Sequence, residues 1–491
     1  MESAPARAHH RVTFAVLTVG VSAFALLQSL VMPVLPTVEA ALGTNQTDVT
    51  WVLTAYLLSA SIFTPILGRL GDMHGKKRMF VIAMVALAVG SLLAALATSL
   101  PVMIAARAIQ GIGGGVLPLA FGIIRDEFPK EKVPGAVGLI AALISVGAGI
   151  GVVLAGPIVD VLGYHWLFWI PLIITSLAGV AAFVLIPESP IRSAGKINWL
   201  TAFLLSGWLV CLLLAVSQAP TWGWGSAKVI GMLVTAGVVV VVWIVAESRS
   251  SNPLIDMKMM RIRSVWAANL IALLMGIGMY AGLGFLPQFL QTPSSAGYGF
   301  GASVTESGLM LLPNAVGMFF VGLFSGRLAA RFGSKNLLIA GSLVSASSYF
   351  MIAFLHSAEI DIYLAMAVNG IGFGLAFAAM SNVVVASVPP EQTGVASGMN
   401  ANIRTIGGSL GAAFMASVVA IGASSSGLPT ESGYRNGFVM LGIAGGLAAV
   451  AALFIPAVKR NKTTHREDIA ELSHPELAMV AGGTLAGDKS E

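Results

Sequence analysis

Residues 68–78 read GRLGDMHGKKR, with one carboxylate and four basic residues set among three glycines, in a chain only 10% charged. A carboxylate so placed can pair with a nearby base or accept main-chain N–H groups, and glycines let a second helix come close enough to supply them. Two further cations, Arg107 and Arg404, stand inside apolar stretches. Counted from the expected helix ends they lie about 9 Å and about 14 Å deep. A cation there costs about 2.5–3.5 kcal/mol on insertion scales, which makes both candidates for function. No carboxylate matches them: Asp48, Asp160, Glu306 and Asp361 fall toward one end of their stretches and Glu247 toward the other. There is no nucleotide-binding glycine-lysine loop, no zinc-ligand cluster and no nucleophile-base arrangement. No enzyme, cofactor or metal is therefore expected.

The elements that must position these groups are membrane helices. Hydrophobic residues make up 56% of 491, and apolar stretches of about 20 residues, long enough to cross the hydrocarbon core, recur along the chain. They predict an all-α polytopic membrane protein with spans near 12–38, 51–69, 79–99, 101–124, 135–159, 164–186, 198–219, 227–247, 265–288, 303–325, 337–356, 361–387, 395–421 and 436–457. The first run is too long for a signal-peptide core and lacks a convincing cleavage site, so it reads as a retained span. The single cysteine, Cys211, excludes an internal disulfide. With both termini in the cytoplasm, 23 of the 27 Lys and Arg fall on the inside, and only Lys228 and Arg435 fall outside. The net charge of +5 is thus a topology signal, and nucleic acid is not an expected partner.

An internal repeat organises the spans. GRLGDMHGKKRMF from Gly68 is echoed by GRLAARFGSKNLL from Gly326, QGIGGG from Gln110 by NGIGFG from Asn369, and PGAVG from Pro134 by TGVAS from Thr393. The offsets are 258, 259 and 259 residues. Eight spans separate equivalent positions although each unit contains six, so two helices sit outside the repeat. The expected organisation is a cytoplasmic segment 1–11, a six-helix bundle 12–186, a linker 187–264 with two inserted helices, a second six-helix bundle 265–457, and a disordered cytoplasmic tail 458–491. Paired bundles suit a rocker-type transporter, in which substrate binds near the midplane.

These motifs resemble the major facilitator superfamily, and within it the fourteen-helix drug:proton antiporters, over residues 12 to about 457. In the family pattern after the second helix, Gly68, Gly71, Asp72, Gly75, Lys76 and Lys77 match gating positions, while Met73 stands where a base is common. Asp72 could accept from helix N-terminal amides of the opposite bundle and pair with Lys76, latching the cytoplasmic side. RAIQGIGGG matches the fourth-helix pattern, which implies a role for Arg107, Gln110 and Gly111 in proton movement or substrate binding; a structural arginine capping carbonyls is the alternative. Asp160 is a candidate partner for Arg107. GAGIGVVLAGP matches the fifth-helix antiport motif in part, keeping Gly147, Gly151, Gly156 and Pro157 but placing Ala148 and Val152 where prolines are common. Helix packing explains that stretch equally well.

The acid usual in the first helix is replaced by Leu27, beside Gln28. The deep charges are therefore positive, which tilts the pocket toward neutral, zwitterionic or anionic amphiphiles. Pocket candidates are Gln28, Tyr56, Asn269, Tyr280, Asn314, Asn369, Asn382 and Asn400; proton-carrier candidates are Asp48, Asp160 and Glu306. The resemblance implies a monomeric secondary transporter of the bacterial inner membrane, exporting drugs or secondary metabolites against inward proton flow and conferring multidrug or antibiotic resistance. Alternatives are a proton-independent facilitator, an uptake symporter, or a sensor or scaffold on a transporter fold.

Overall fold

Prolines and glycines set where the helices stop. The computed structural model describes residues 6–31, 34–44, 46–49, 51–129, 131–189, 198–251, 253–420 and 429–456. Among these all regular structure is helical. The first elements are α1 (Ala6–Leu30), α2 (Leu35–Ala41), α3 (Gln46–Val49), α4 (Trp51–His74) and α5 (Lys76–Ala95). Next come α6 (Leu100–Gly111), a 3₁₀ turn Ile112–Gly115, α7 (Val116–Glu127), α8 (Val133–Leu162) and α9 (Trp166–Leu185). The chain continues with α10 (Trp199–Trp222), α11 (Ala227–Arg249), α12 (Met257–Met260), α13 (Arg263–Gln291) and α14 (Val304–Phe332). It ends with α15 (Ser334–Phe354), α16 (Glu359–Ser387), α17 (Thr393–Ala420) and α18 (Glu431–Leu453). Among the described residues thirteen helical segments are long and apolar enough to cross a membrane, α6 to α7 counting as one. The 30-residue α8 follows the fourth of them.

Three expectations change. The span expected over 12–38 is two helices, since α1 already begins at Ala6 and ends at Leu30, and α2 restarts with a proline in its first turn. Proline supplies no amide to a helical ladder and disfavours the α conformation in the residue before it, so the PVLP run cannot continue α1. Second, the span expected to end near 69 runs on: α4 continues to His74, and the turn is confined to Gly75, whose φ of 109° residues with a Cβ rarely adopt. Third, glycines 113–115 tighten into 3₁₀ geometry between α6 and α7, which lets that segment approach Leu87, Thr64 and Leu67 closely. The expected tail 458–491 and part of the linker, 190–197, lie outside the described residues.

Buried apolar residues form one large cluster drawn from α10 onward plus Ile66, two smaller ones drawn from residues before 187 with Val385, and a minor one of Ala215, Ala219 and Val229 between α10 and α11. Outward faces are equally apolar: Leu177, Val180, Phe183 and Val184 of α9 and Val234, Val238 and Val241 of α11 are all exposed. Such surface is stable against lipid and not against water. α10 packs on both α4 and α17. Its C-terminal end is followed by Trp224, which donates to Ser417 Oγ at 2.8 Å and stacks on Phe414. Trp208 and Trp243 join α10 to α11.

Candidate functional site

At one end of the molecule α4 crosses the start of α17. The approach is backbone on backbone: a Cβ added at Gly68 would sit 2.5 Å from Gly394 O, and one at Gly394 would sit 2.7 Å from Gly68 O. Thr393, Gly394 and Val395 open α17, where amides have no partner within their own helix. Asp72, fully buried, provides one: Oδ1 accepts from Gly394 N at 3.3 Å and Oδ2 from Val395 N at 3.1 Å. The helix dipole favours the carboxylate there. Lys76, also fully buried, stands 3.7 Å from Asp72 and donates to Asp126 Oδ2 at 2.7 Å, its stem lying along Gly122. Ser189 Oγ donates to the same Asp126 oxygen. Beside them Arg125 crosses to the far side, donating to Thr393 Oγ1 at 2.6 Å and to Val388 O at 2.8 Å.

The gating set is thereby divided. Gly68, Asp72 and Lys76 meet at the crossing; Gly71 lies on Leu119, Gly75 makes the turn, and Lys77 points away over the Phe183 ring. Arg125, Asp126, Thr393 and Ser189 escaped the sequence reading. The acidic-basic run at 125–127 was visible, but nothing in the sequence told that its members bridge residues 50 to 268 positions away.

The repeat-mate of this crossing has no carboxylate. There α14 meets the start of α8, with a Cβ at Gly326 falling 2.8 Å from Gly135 Cα. Ala330 stands where the repeat offset would put an acid.

A second group lies deeper. Arg107 is fully buried; its Nε donates to Val52 O at 3.2 Å, its Nη1 to Gln110 Oε1 at 2.7 Å, and its guanidinium carbon stands 4.4 Å from the centre of the Tyr56 ring. Gln110 in turn donates to Ser91. Its partners are thus a carbonyl, an amide and a ring face. Asp160 is exposed and is not among them. Arg404 sits on α17 with its guanidinium 5.3 Å from the Phe377 ring centre and close to Tyr280, which also lies near Tyr56.

The remaining candidates scatter. Asn400 donates to Ala268 O at 3.2 Å and to Asn269 Oδ1 at 3.0 Å, and Asn314 donates to Asn369, which donates to Ser348, both at 2.6 Å. These are helix-to-helix ties, between α17 and α13 and among α14, α16 and α15. Replacing Asn369 by Leu should lower unfolding stability in detergent by about 1 kcal/mol, the usual scale of such bonds, with little change in transport; a thermal-shift series with parallel uptake checks it. Gln28 is half-buried, and Asn382 is buried with Nδ2 unpartnered. Gly147 and Gly151 pack α8 on Ala25 and Ser29 of α1, Gly156 approaches Thr305, and Pro157 is exposed. Gly111 packs on Ser59. Asp48 and Glu306 are exposed, Glu306 in a capping box with Ser303. Among the described residues no cluster of metal-ligating side chains occurs.

Comparison with known proteins places this geometry. The family model of the Major Facilitator Superfamily matches residues 17–412, and again 270–486. The chain is 30% identical over 413 residues, 83% of its length and 76% of the relative's, to the tetracenomycin C resistance and export protein of Streptomyces glaucescens. It is 29% identical over 403 residues, covering 80% of this chain and 72% of the relative, to the multidrug transporter protein MdtP of Bacillus subtilis. The crystal structure of the human organic anion transporter MFSD10 superposes with a TM-score of 0.66 at 18% identity, covering 92% of this chain and all of that one, a likeness of fold alone.

Proposed function

Because the chain belongs to the major facilitator superfamily, we propose that it exports small amphiphilic drugs or secondary metabolites from a bacterial cell by proton antiport and alternating access. The relatives named for export and multidrug transport support the class of cargo. In this reading fourteen helices cross the inner membrane as two six-helix bundles, α10 and α11 are the inserted pair, and both termini lie in the cytoplasm. The split falls at the boundaries expected from the repeat, 12–186 and 265–457. The charge distribution supports the orientation, which puts Asp72 at the cytoplasmic end.

One observation carries the mechanism: a buried carboxylate of one half caps the N-terminus of a helix of the other. Such a bond exists only while that end is closed, so Asp72, steadied by Lys76, gates access from the cytoplasm. Arg107 and Gln110 shape the path behind the gate. The proton is carried from the outer side by one of the exposed acids Asp48, Asp160 or Glu306, since no acid lies mid-span.

Everted vesicles containing the protein should accumulate a fluorescent amphiphile when an inside-acid gradient is imposed, and release it when the gradient is collapsed. Accumulation that ignores the collapse overturns proton antiport in favour of a facilitator. No movement of any compound in a broad panel overturns transport itself.

A further inference from the structure

Two polar groups left without a partner where Arg107 meets Tyr56 can each donate a hydrogen bond. Arg107 Nη2 and Tyr56 Oη are buried and unpartnered, Tyr56 being 2% exposed. Across from them Arg404 lies close enough to the Tyr280 phenol for the two to interact, and Tyr280 in turn lies near Tyr56. The Tyr56 ring packs on the Arg107 guanidinium and the Phe377 ring on that of Arg404. The backbone holds this arrangement rigidly: Gly276 admits the Arg404 main chain against α13, and Gly408 admits the Tyr280 ring against α17. Arg107 differs from Arg404 in availability, since Arg107 is fully buried with two of its three nitrogens engaged, whereas Arg404 keeps part of its surface open.

From this we infer that the Tyr56, Tyr280, Phe377 and Arg404 side chains form the recognition site for an organic anion with a flat aromatic body, its carboxylate or phenolate held by Arg404. The inference rests on the transport reading and sharpens it by fixing the charge of the cargo. Two cations with no acid between them raise the potential of the site, which favours an anion over a neutral or cationic isostere. Guanidinium is the side chain best shaped for a carboxylate, and the aromatic walls accept a ring by stacking. An anion bound there feels the Arg107 charge from behind the Tyr56 ring. It also touches α4, α13, α16 and α17 together, so its binding bears on both sides of the crossing.

The test uses the full chain purified in detergent and three probes of one body: 9-anthracenecarboxylate, its methyl ester, and 9-(aminomethyl)anthracene as the ammonium. Equilibrium dialysis should rank the carboxylate about tenfold or more tighter than the other two, the scale of one hydrogen-bonded charge. Arg404→Gln should erase that preference while ester binding stays within twofold, and Arg404→Lys should keep most of it. Equal affinities in the wild type, preference for the ammonium, or a preference that survives Arg404→Gln each overturn the inference. Should Arg404→Gln fail to give a monodisperse protein, Tyr280→Phe carries the test: preference reduced about threefold supports the site, and an unchanged one overturns it. The assay needs no proton gradient. Failure of the vesicle experiment with the carboxylate preference intact therefore defeats antiport and not this site, and the reverse result defeats the site alone.

Discussion

Asp72→Lys should lower export turnover by about a hundredfold while leaving substrate affinity within about threefold. The native carboxylate accepts two buried amides of α17 and lies beside Lys76. Hydrogen bonds to a charged group contribute about 1.5–3 kcal/mol each, so loss of the pair alone shifts the closed state by a factor of a hundred or more. The substituted ammonium adds repulsion, because it faces the positive end of a helix and a buried lysine. Asp72→Asn keeps an acceptor without the charge and should fall between, about tenfold down. The check pairs vesicle transport with ligand binding on the same preparations. Spin labels at Arg78 and Ala386, both exposed, then report the closure directly in a Cys211→Ser background. If turnover is preserved, or binding collapses while the label distance is unchanged, the gating role is wrong.

Gly394→Leu should be as damaging for a reason that has nothing to do with charge. A Cβ at that position already meets Gly68 O at 2.7 Å and the Asp72 carboxylate at 2.9 Å. Contacts of this kind are relieved only by moving the helices apart, since the atom met is backbone. Moving them apart also stretches both Asp72 bonds beyond hydrogen-bonding distance. Packing does not deform by small steps, so a leucine should hold the end open and cut turnover by about a hundredfold. Gly446→Leu is the matched control, because nothing lies within 4 Å of its added Cβ. Near-normal transport in Gly394→Leu, or equal loss in the control, would show that the crossing is not what controls the rate.

Much of this molecule could be read from its residues because lipid imposes simple terms. Apolar runs of helix-spanning length announced the helices, and the echo between Gly68 and Gly326 announced that two crossings are built alike. The motif itself was legible as an acid that could accept helix N-terminal amides. What could not be read was its extent. Pattern says nothing of which residues distant in sequence arrive at one spot, so Asp126 and Arg125 looked like ordinary basic and acidic helix-end residues. The residues past 69, expected to leave the helix, proved helical as far as His74 because glycine tolerates helix when close packing replaces its missing side chain, and Gly75 alone supplies the reversal. Polar residues inside spans were the least informative. Asn269, Asn314, Asn369 and Asn400 spend their bonds on neighbouring helices, which single residues cannot reveal in advance.

The unequal crossings have a bearing on how the molecule responds to its surroundings. At Gly68 and Gly394 the contact carries an ionic component; at Gly135 and Gly326 it rests on shape, with Ala330 where a carboxylate would be needed. Acidity, ionic strength and membrane voltage act on charges and leave apolar contact almost untouched. One line of contact is therefore tunable by solution conditions and the other is indifferent to them. Under the transport reading proposed above, the duplicated framework keeps one charged seam and one uncharged one, and conditions on the Asp72 side would act on the cycle through that seam.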